Sequence, residues 1–349
     1  MPIDFLIVGQ GLAGSLLAYE LMQRGCRVLV VDNGLENASR IAAGLINPVT
    51  GMRLVKTPYI EQLLPVATAF FQHLAKEFGQ VFYHEKKLLR IFKNPGENET
   101  FAKRRLNPEY SPFFDETDNP FQSDGLLHPP HGFAVQKQTG YLSTRPLLEN
   151  LKQFFINHDA YVQTVLSYQD IELSPRLQWR GIQCRRIIFC EGHWVAQNPW
   201  FSWLPLQPAG GEILTLNFEK ILPDYIINNG HWLIPTTPNQ ARLGATYEAM
   251  PQSNPNGQAA LLSSLAAMLS IRHTTVQSHD YGIRPCTLDK QPFIGHHPAY
   301  NALLIFNGFG SKGSLLIPWY CRCLADHLLH RRALPSHCDI NRYAAHCSG

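Results

Sequence analysis

Charge is scarce in this chain: acidic and basic residues together make up 16% of it, and their balance is only +3 at neutral pH. No window carries the dense lysine and arginine run of a polyanion-binding face. Lys103-Arg104-Arg105 and Arg331-Arg332 read as solvated surface, so nucleic acid is not an expected partner. Long hydrophobic runs are also missing, the longest being too short and interrupted for the roughly 20 residues a membrane-spanning helix needs. From Met1 the chain enters the apolar stretch Ile3 to Val8 without the basic start or small-residue cleavage site of a signal peptide. The eight cysteines (26, 184, 190, 286, 321, 323, 338, 347) follow no framework spacing, which favours reduced thiols and a cytoplasmic setting. Cys321 and Cys323 lie two apart on a predicted helix and point to different sides. Neither His128-Pro129-Pro130-His131 nor His296-His297 has further ligands at matching spacing, so no metal is expected. A G-x-S-x-G elbow, a Walker loop, an H-E-x-x-H helix, internal repeats and low-complexity segments are all lacking.

What is present is globular material, 45% apolar over 349 residues, a length that predicts two lobes sharing a cleft. Phe5 to Val8 is a continuous apolar run, as a buried parallel strand should be. Leu12 to Arg24 has helical periodicity and Gly25 stands where a C-terminal cap belongs. Arg27 to Val31 is a second strand, ending at Asp32. A helix is predicted over Tyr59 to Phe78, with Pro65 kinking it or marking its start. Residues 93 to 140, rich in Pro, Asn, Asp and Gly, read as loops and short strands of an inserted lobe. Leu147 to Phe155 reads as a helix capped by Ser143 or Thr144, and strands follow at 160–166 and 186–190. Between about 205 and 283 short β runs alternate with turns, which predicts an antiparallel sheet. The opening logic then returns: strand Leu303 to Phe306, glycine loop 308–313, helix to about Leu329.

Gly9-Gln10-Gly11-Leu12-Ala13-Gly14 is a G-x-G-x-x-G pattern, directly after a buried strand and at the start of a helix. There the glycines permit a tight turn and close backbone approach to a pyrophosphate, while the helix N-terminus faces the phosphates. Asp32 ends the second strand, where an acid accepts hydrogen bonds from a ribose hydroxyl. NAD and FAD share this fingerprint, and the turn alone does not choose between them.

Three further stretches carry a resemblance: Ser39-Arg40-Ile41-Ala42-Ala43-Gly44-Leu45-Ile46; Gly282-Ile283-Arg284-Pro285-Cys286-Thr287-Leu288-Asp289-Lys290-Gln291-Pro292-Phe293-Ile294-Gly295; and Asn307-Gly308-Phe309-Gly310-Ser311-Lys312-Gly313. In this order they resemble the FAD-dependent D-amino-acid oxidase superfamily, which includes glycine, sarcosine and D-amino-acid oxidases. The likeness runs from residue 3 to about residue 330. It implies an α/β fold, a doubly wound Rossmann-like FAD-binding domain with an inserted antiparallel β-sheet substrate domain. The expected FAD-binding domain is 1–60, 140–200 and 284–349, and the substrate domain is 61–139 and 201–283. The implied cofactor residues are Gly9, Gly11, Leu12, Ala13, Gly14, Asp32, Asn33, Ser39, Arg40, Ala42, Ala43, Gly44, Leu45 and Val165. They continue with Cys190 and Gly192, at the end of an apolar strand beside the FAD, and Gly308, Phe309, Gly310, Ser311, Lys312 and Gly313. Members that tether the flavin use a cysteine further upstream of the signature aspartate than Cys286 lies from Asp289, so non-covalent FAD is expected.

The resemblance also implies a substrate site. Arg284 would fork onto a substrate carboxylate, a geometry that suits arginine better than lysine, or else hold its loop through an ion pair. Lys312 would add charge at the glycine loop or bind the carboxylate, the alternative being a solvated loop lysine. Where the family carries a tyrosine before an Ile-Pro pair, this chain has Trp232, which keeps an aromatic wall and loses a phenol donor. Arg53 and Lys56 follow the small-residue loop, where basic residues face the flavin in sarcosine oxidase-like members. The expected activity is oxidation of the C–N bond of a small amine or amino acid by hydride transfer to flavin N5, with O2 as electron acceptor. Two alternatives stand beside it: oxidation of a secondary amine on a larger substrate such as a modified nucleoside, as in bifunctional tRNA-modifying enzymes, and a non-catalytic flavin-binding partner or sensor. The mild charge, and a sequence without a methyltransferase half, count against the first.

Overall fold

The opening β run ends in a glycine turn and a helix because its apolar residues are buried on both faces, as a central parallel strand requires. A computed structural model of the chain describes residues 2–116, 127, 129–249, 252–270 and 273–347. His128 of the first histidine pair therefore lies outside the described residues. Two compact units emerge: Met1–Ala42, Thr144–Ala209 and Ile283–Gly349 in one, Ala43–Ser143 and Gly210–Gly282 in the other.

The first unit is built on a parallel sheet in the order Tyr161–Gln163, Val28–Asp32, Ile3–Val8, Ile182–Phe189, Leu303–Asn307. Phe293–His296 adds an antiparallel edge to the last of these. Leu6, Val8, Leu29, Val31, Ile187, Phe189, Leu303 and Ile305 pack with Trp179 and Phe201 into one core on this sheet. Helix Leu12–Gln23 ends on Arg24, and Gly25 reverses the chain at φ +79°. Its partners in this unit are the helices Thr144–Asn157 and Gly313–His330.

The second unit holds a sheet in the order Thr274–Arg284, Ala209–Phe218, Gln240–Gly244, His231–Thr237, Ile226–Asn229, Leu88–Ile91, Phe133–Gln136, Phe114–Asp115. It is not wholly antiparallel: Ile226–Asn229 runs parallel to Leu88–Ile91. Those strands come from different stretches of chain, so no hairpin dictates their direction. Two helices occur where strands and loops are expected. Pro95–Arg105 begins with Asn94 accepting a bond from Glu97 N (3.1 Å) and Pro95 at its first position. The Asn-Pro pair that reads as a loop is therefore a helix start, pinned by the buried Arg90–Glu97 ion pair at 2.9 Å. Gly257–Met268 lays Leu261, Leu265 and Met268 onto Leu214, Ile227, Leu233 and Leu243. Helix Ile60–Phe78 starts five residues before Pro65, which lies inside it. Residues 43–60 group with this unit because Leu45–Ile46 pairs with Gly140–Leu142.

Candidate functional site

Register places the predicted loops of the first unit along one edge. Val8 pairs with Val31 and Phe189, Gln163 with Asp32, and Phe189 with Ile305. The loops 9–14, 33–34, 164–165, 190–192 and 308–313 thus all leave the carboxyl ends of parallel strands, where open α/β sheets bind their ligands.

The first glycine loop is shaped by backbone against backbone. Gly9 has φ +104°, and a Cβ there would stand 2.6 Å from Cys190 O; one on Gly14 would stand 1.9 Å from Gly9 O. No capping side chain comes from Gly11, and the first turn holds no acidic residue. Leu12 N–H donates to Ser39 Oγ at 2.9 Å, which brings Ser39 to the loop. Asp32 accepts from Gln10 N (2.8 Å) and Gly34 N (2.7 Å), so its carboxylate is oriented before any ligand arrives. Asn33 turns the chain by accepting from Leu35 N, and Asn37 caps the short helix that carries Ser39 and Arg40. Ala42 ends the first unit's opening segment, and Val165, 69% exposed, follows the strand beside Asp32.

The second glycine loop is shaped by side chains. Asn307 is buried and donates to Gly192 O (2.8 Å) while accepting from Gly308 N (2.8 Å). A Cβ on Gly308 (φ +83°) would stand 2.7 Å from Thr287 Cγ2, and one on Gly310 3.5 Å from Cys286 Sγ. Gly310 N–H donates to Pro285 O at 3.2 Å, joining this loop to the one that follows Arg284. Phe309 is buried against Phe306 and Tyr320, Ser311 is exposed, and Gly313 opens the last helix. Lys312 stands at that helix's N-cap, half-buried rather than solvated. Burial holds its ammonium below the usual lysine range, and the Lys290 charge adds to the effect.

Ala43, Gly44, Leu45, Arg53 and Trp232 belong to the second unit. Gly44 (φ +68°) lies so close to strand Gly140–Leu142 that a Cβ would stand 2.0 Å from Leu142 O. The indole of Trp232 stands 2.7 Å from where a Gly244 Cβ would be, so a side chain at 244 would displace it. Arg53 is exposed in a tight turn, and Lys56 is engaged by Glu61 at 2.8 Å.

Two groups at this edge escaped the sequence reading. Gln10, the variable position of the glycine motif, is fully buried and donates to Ser15 Oγ (3.1 Å) and Leu148 O (2.9 Å). Glu191 accepts from Tyr168 Oη and Asn198 Nδ2, both at 2.8 Å. Burial pushes its carboxyl up to about 7 despite those two bonds. The same burial, with the Glu191 charge, raises the Cys190 thiol. Gln10 fills a position that the glycine motif leaves open, and for Glu191 an acid next to a strand-end glycine was the only available signal. None of the eight cysteines is in a disulfide. Among the described residues no group of three or more His, Cys, Asp or Glu is placed to hold a metal ion, and no helix is long and apolar enough to cross a membrane.

The chain resembles known proteins over nearly its whole length. It is 27% identical to the bifunctional tRNA 5-methylaminomethyl-2-thiouridine biosynthesis protein of Marinobacter nauticus, covering 94% of this chain and 56% of that one. It is 23% identical to the glycine oxidase of Pseudomonas aeruginosa, over 94% of this chain and 95% of the oxidase. The chain spans about half the length of the first curated relatives it matches, which are bifunctional proteins. Among solved structures, the glycine oxidase of Bacillus cereus superposes with a TM-score of 0.81 at 21% identity, covering 99% of each chain. Iminodiacetate oxidase from Chelativorans superposes at 0.80 and 19% identity, covering 98% of each. These likenesses establish the fold. The family model described as FAD dependent oxidoreductase matches residues 4–327, and the chain belongs to that family.

Proposed function

We propose that this FAD-dependent oxidoreductase acts on a small amine or amino acid that carries a carboxylate. The single observation behind this reading is the 3.2 Å bond from Gly310 N to Pro285 O, which ties the loop after Arg284 to the loop ending on Lys312. Two cationic side chains therefore stand on one braced substructure, as recognition of an anion requires. The residues present fit a dinucleotide. The glycine cradle would be filled by a Cβ, the helix start bears no acid, and Asp32 is oriented at a strand end. Gly9, Gly11, Leu12, Ala13 and Gly14 would hold the pyrophosphate, and Asp32 and Asn33 the ribose. Ser39, Arg40, Ala42, Val165, Cys190 and Gly192 would line the remainder, with 308–313 at the pyrimidine end.

When bound without a covalent tether, FAD supplies the acceptor for the hydride that leaves the amine-bearing carbon, and we take O2 as the final oxidant. The chain's part is orientation and electrostatics. Arg284 forks onto the carboxylate, and Lys312 and the N–H groups of 308–313 favour negative charge beside them. The absence of disulfides supports a reducing, cytoplasmic setting. A second reading, oxidation of a larger secondary amine, is favoured by the tRNA-modifying relative.

Anaerobic bleaching of the flavin band against amino acids, N-methyl amino acids, polyamines and a methylaminomethyl nucleoside separates the two. An amino acid should bleach fastest; bleaching by the nucleoside alone would replace the first reading with the second. Arg284→Ala should lower kcat/KM for the carboxylate substrate by about 10- to 100-fold, the worth of a charged fork. An unchanged value would remove Arg284 from the site.

A further inference from the structure

The segment after the last long helix is not idle chain. Residues 334–347 fold back along Phe293–His296: Ile294 N–H donates to Cys338 O at 2.9 Å, and Cys338 and Ile340 are fully buried. One charged side chain of this strap reaches the signature loop. Arg342 donates through Nε to Asp289 Oδ2 (2.8 Å) and through Nη2 to Asp289 Oδ1 (3.4 Å) and Gln291 O (3.3 Å). Its guanidinium is fixed from behind by Asp339 O (3.0 Å) and by the rings of Phe293 and Tyr343, 5.3 and 4.9 Å from their centroids.

The bonds continue inward. Gln291 O also accepts from Thr287 Oγ1 at 2.8 Å, so Arg342 and Thr287 hold one carbonyl between them. Asp289 Oδ1 accepts from Gln291 N at 2.9 Å, closing the turn. Thr287 is buried, and its Cγ2 is the atom against which Gly308 is packed. Pro285, two residues earlier, accepts from Gly310. We propose that Arg342 is a positioning residue: through Asp289, Gln291 and Thr287 it sets the glycine loop 308–313, and through Pro285 the placement of Arg284. A planar fork with several acceptors does this where a point charge would not. The inference rests on the FAD-edge reading of the 308–313 loop, not on the nature of the substrate.

The test is FAD affinity of the apoprotein, followed by flavin fluorescence, with the visible circular dichroism of the holoenzyme as a second signature. Arg342→Ala should raise the Kd for FAD about tenfold and alter the flavin dichroism, with Arg342→Lys intermediate, as expected when a multi-acceptor fork is reduced to one contact. Ile340→Ala is the control, because it loosens the strap without touching Asp289; it should lower the melting temperature yet leave the Kd within about twofold. The proposal is overturned if both Arg342 variants keep the wild-type Kd and dichroism. It is equally overturned if Ile340→Ala shifts the Kd as far as Arg342→Ala, since the strap would then act by docking alone. No amine enters these measurements, so a wrong substrate assignment would leave their outcome unchanged.

Discussion

The two glycine loops join strand to helix at the same edge of the sheet, yet they meet different neighbours. In loop 9–14 the obstacles to a side chain are main-chain oxygens: Gly9 O for Gly14 and Cys190 O for Gly9. In loop 308–313 the nearest obstacle is a side-chain atom, Thr287 Cγ2 at 2.7 Å for Gly308, with the backbone N of Phe293 next at 3.2 Å; for Gly310 it is Cys286 Sγ, at ordinary contact distance. Main chain in a parallel sheet cannot retreat without breaking the ladder, whereas a threonine methyl can be removed by mutation. Positive φ asks for glycine at Gly9 as it does at Gly308 and Gly310, but the closest clash in the first loop is with main chain, while at Gly308 it is with a methyl that mutation can remove.

Breaking that contrast should give the largest effect. Gly14→Ala is expected to raise the Kd for FAD by about 100-fold or more, because its methyl would occupy the space of Gly9 O. Gly308→Ala should cost about tenfold, in line with the 1–2 kcal/mol of a non-glycine residue in the left-handed region. Adding Thr287→Ser, which removes Cγ2 and keeps the hydroxyl bonded to Gln291 O, should recover part of that loss. Equal effects of the two alanines, or no recovery in the double variant, would show that the loops are alike after all.

A smaller effect is expected at the latch between Gly192 and Gly308. Asn307→Ala leaves the half-buried Gly192 carbonyl and the buried Gly308 N–H without their partner, at about 1–3 kcal/mol. Thermal unfolding should show a melting temperature several degrees lower, with a smaller rise in the Kd for FAD than Gly14→Ala gives. A melting temperature equal to wild type would mean that the amide is replaced by water.

The same contrast explains what could be read from the chain. Loop 9–14 was legible because backbone approach leaves a glycine spacing, and the strands around it are apolar runs with a clear period. Helix Pro95–Arg105 was hidden because an Asn-Pro pair signals both a turn and a helix start, and only the Arg90–Glu97 pair decides. Helix Gly257–Met268 was hidden among β runs, although Leu261, Leu265 and Met268 have helical spacing. The parallel pairing of Ile226–Asn229 with Leu88–Ile91 depends on how distant segments meet, which no local pattern records. Gln10, at a position the glycine motif leaves open, and Glu191 and Arg342, outside any motif, act through long-range bonds, so their roles required the folded chain.

Glu191 offers the finest test, because it lies between Cys190, against the first loop, and Gly192, latched to the second. Its carboxyl titrates near 7 in the folded chain against a usual 4.5, chiefly through burial. Between those values the folded state keeps a proton that the unfolded state has released, so this group makes stability fall as pH rises from about 4.5 to about 7. Below that window both states are protonated and the contribution is flat; above it both are ionised and the full penalty is present. Glu191→Gln has no proton to lose there. Its melting temperature, compared with wild type at matched pH, should gain steadily across the window and then level off. A gap that stays constant with pH would mean that Tyr168 and Asn198 hold an ordinary carboxylate, and that no charge develops between the two loops near neutrality.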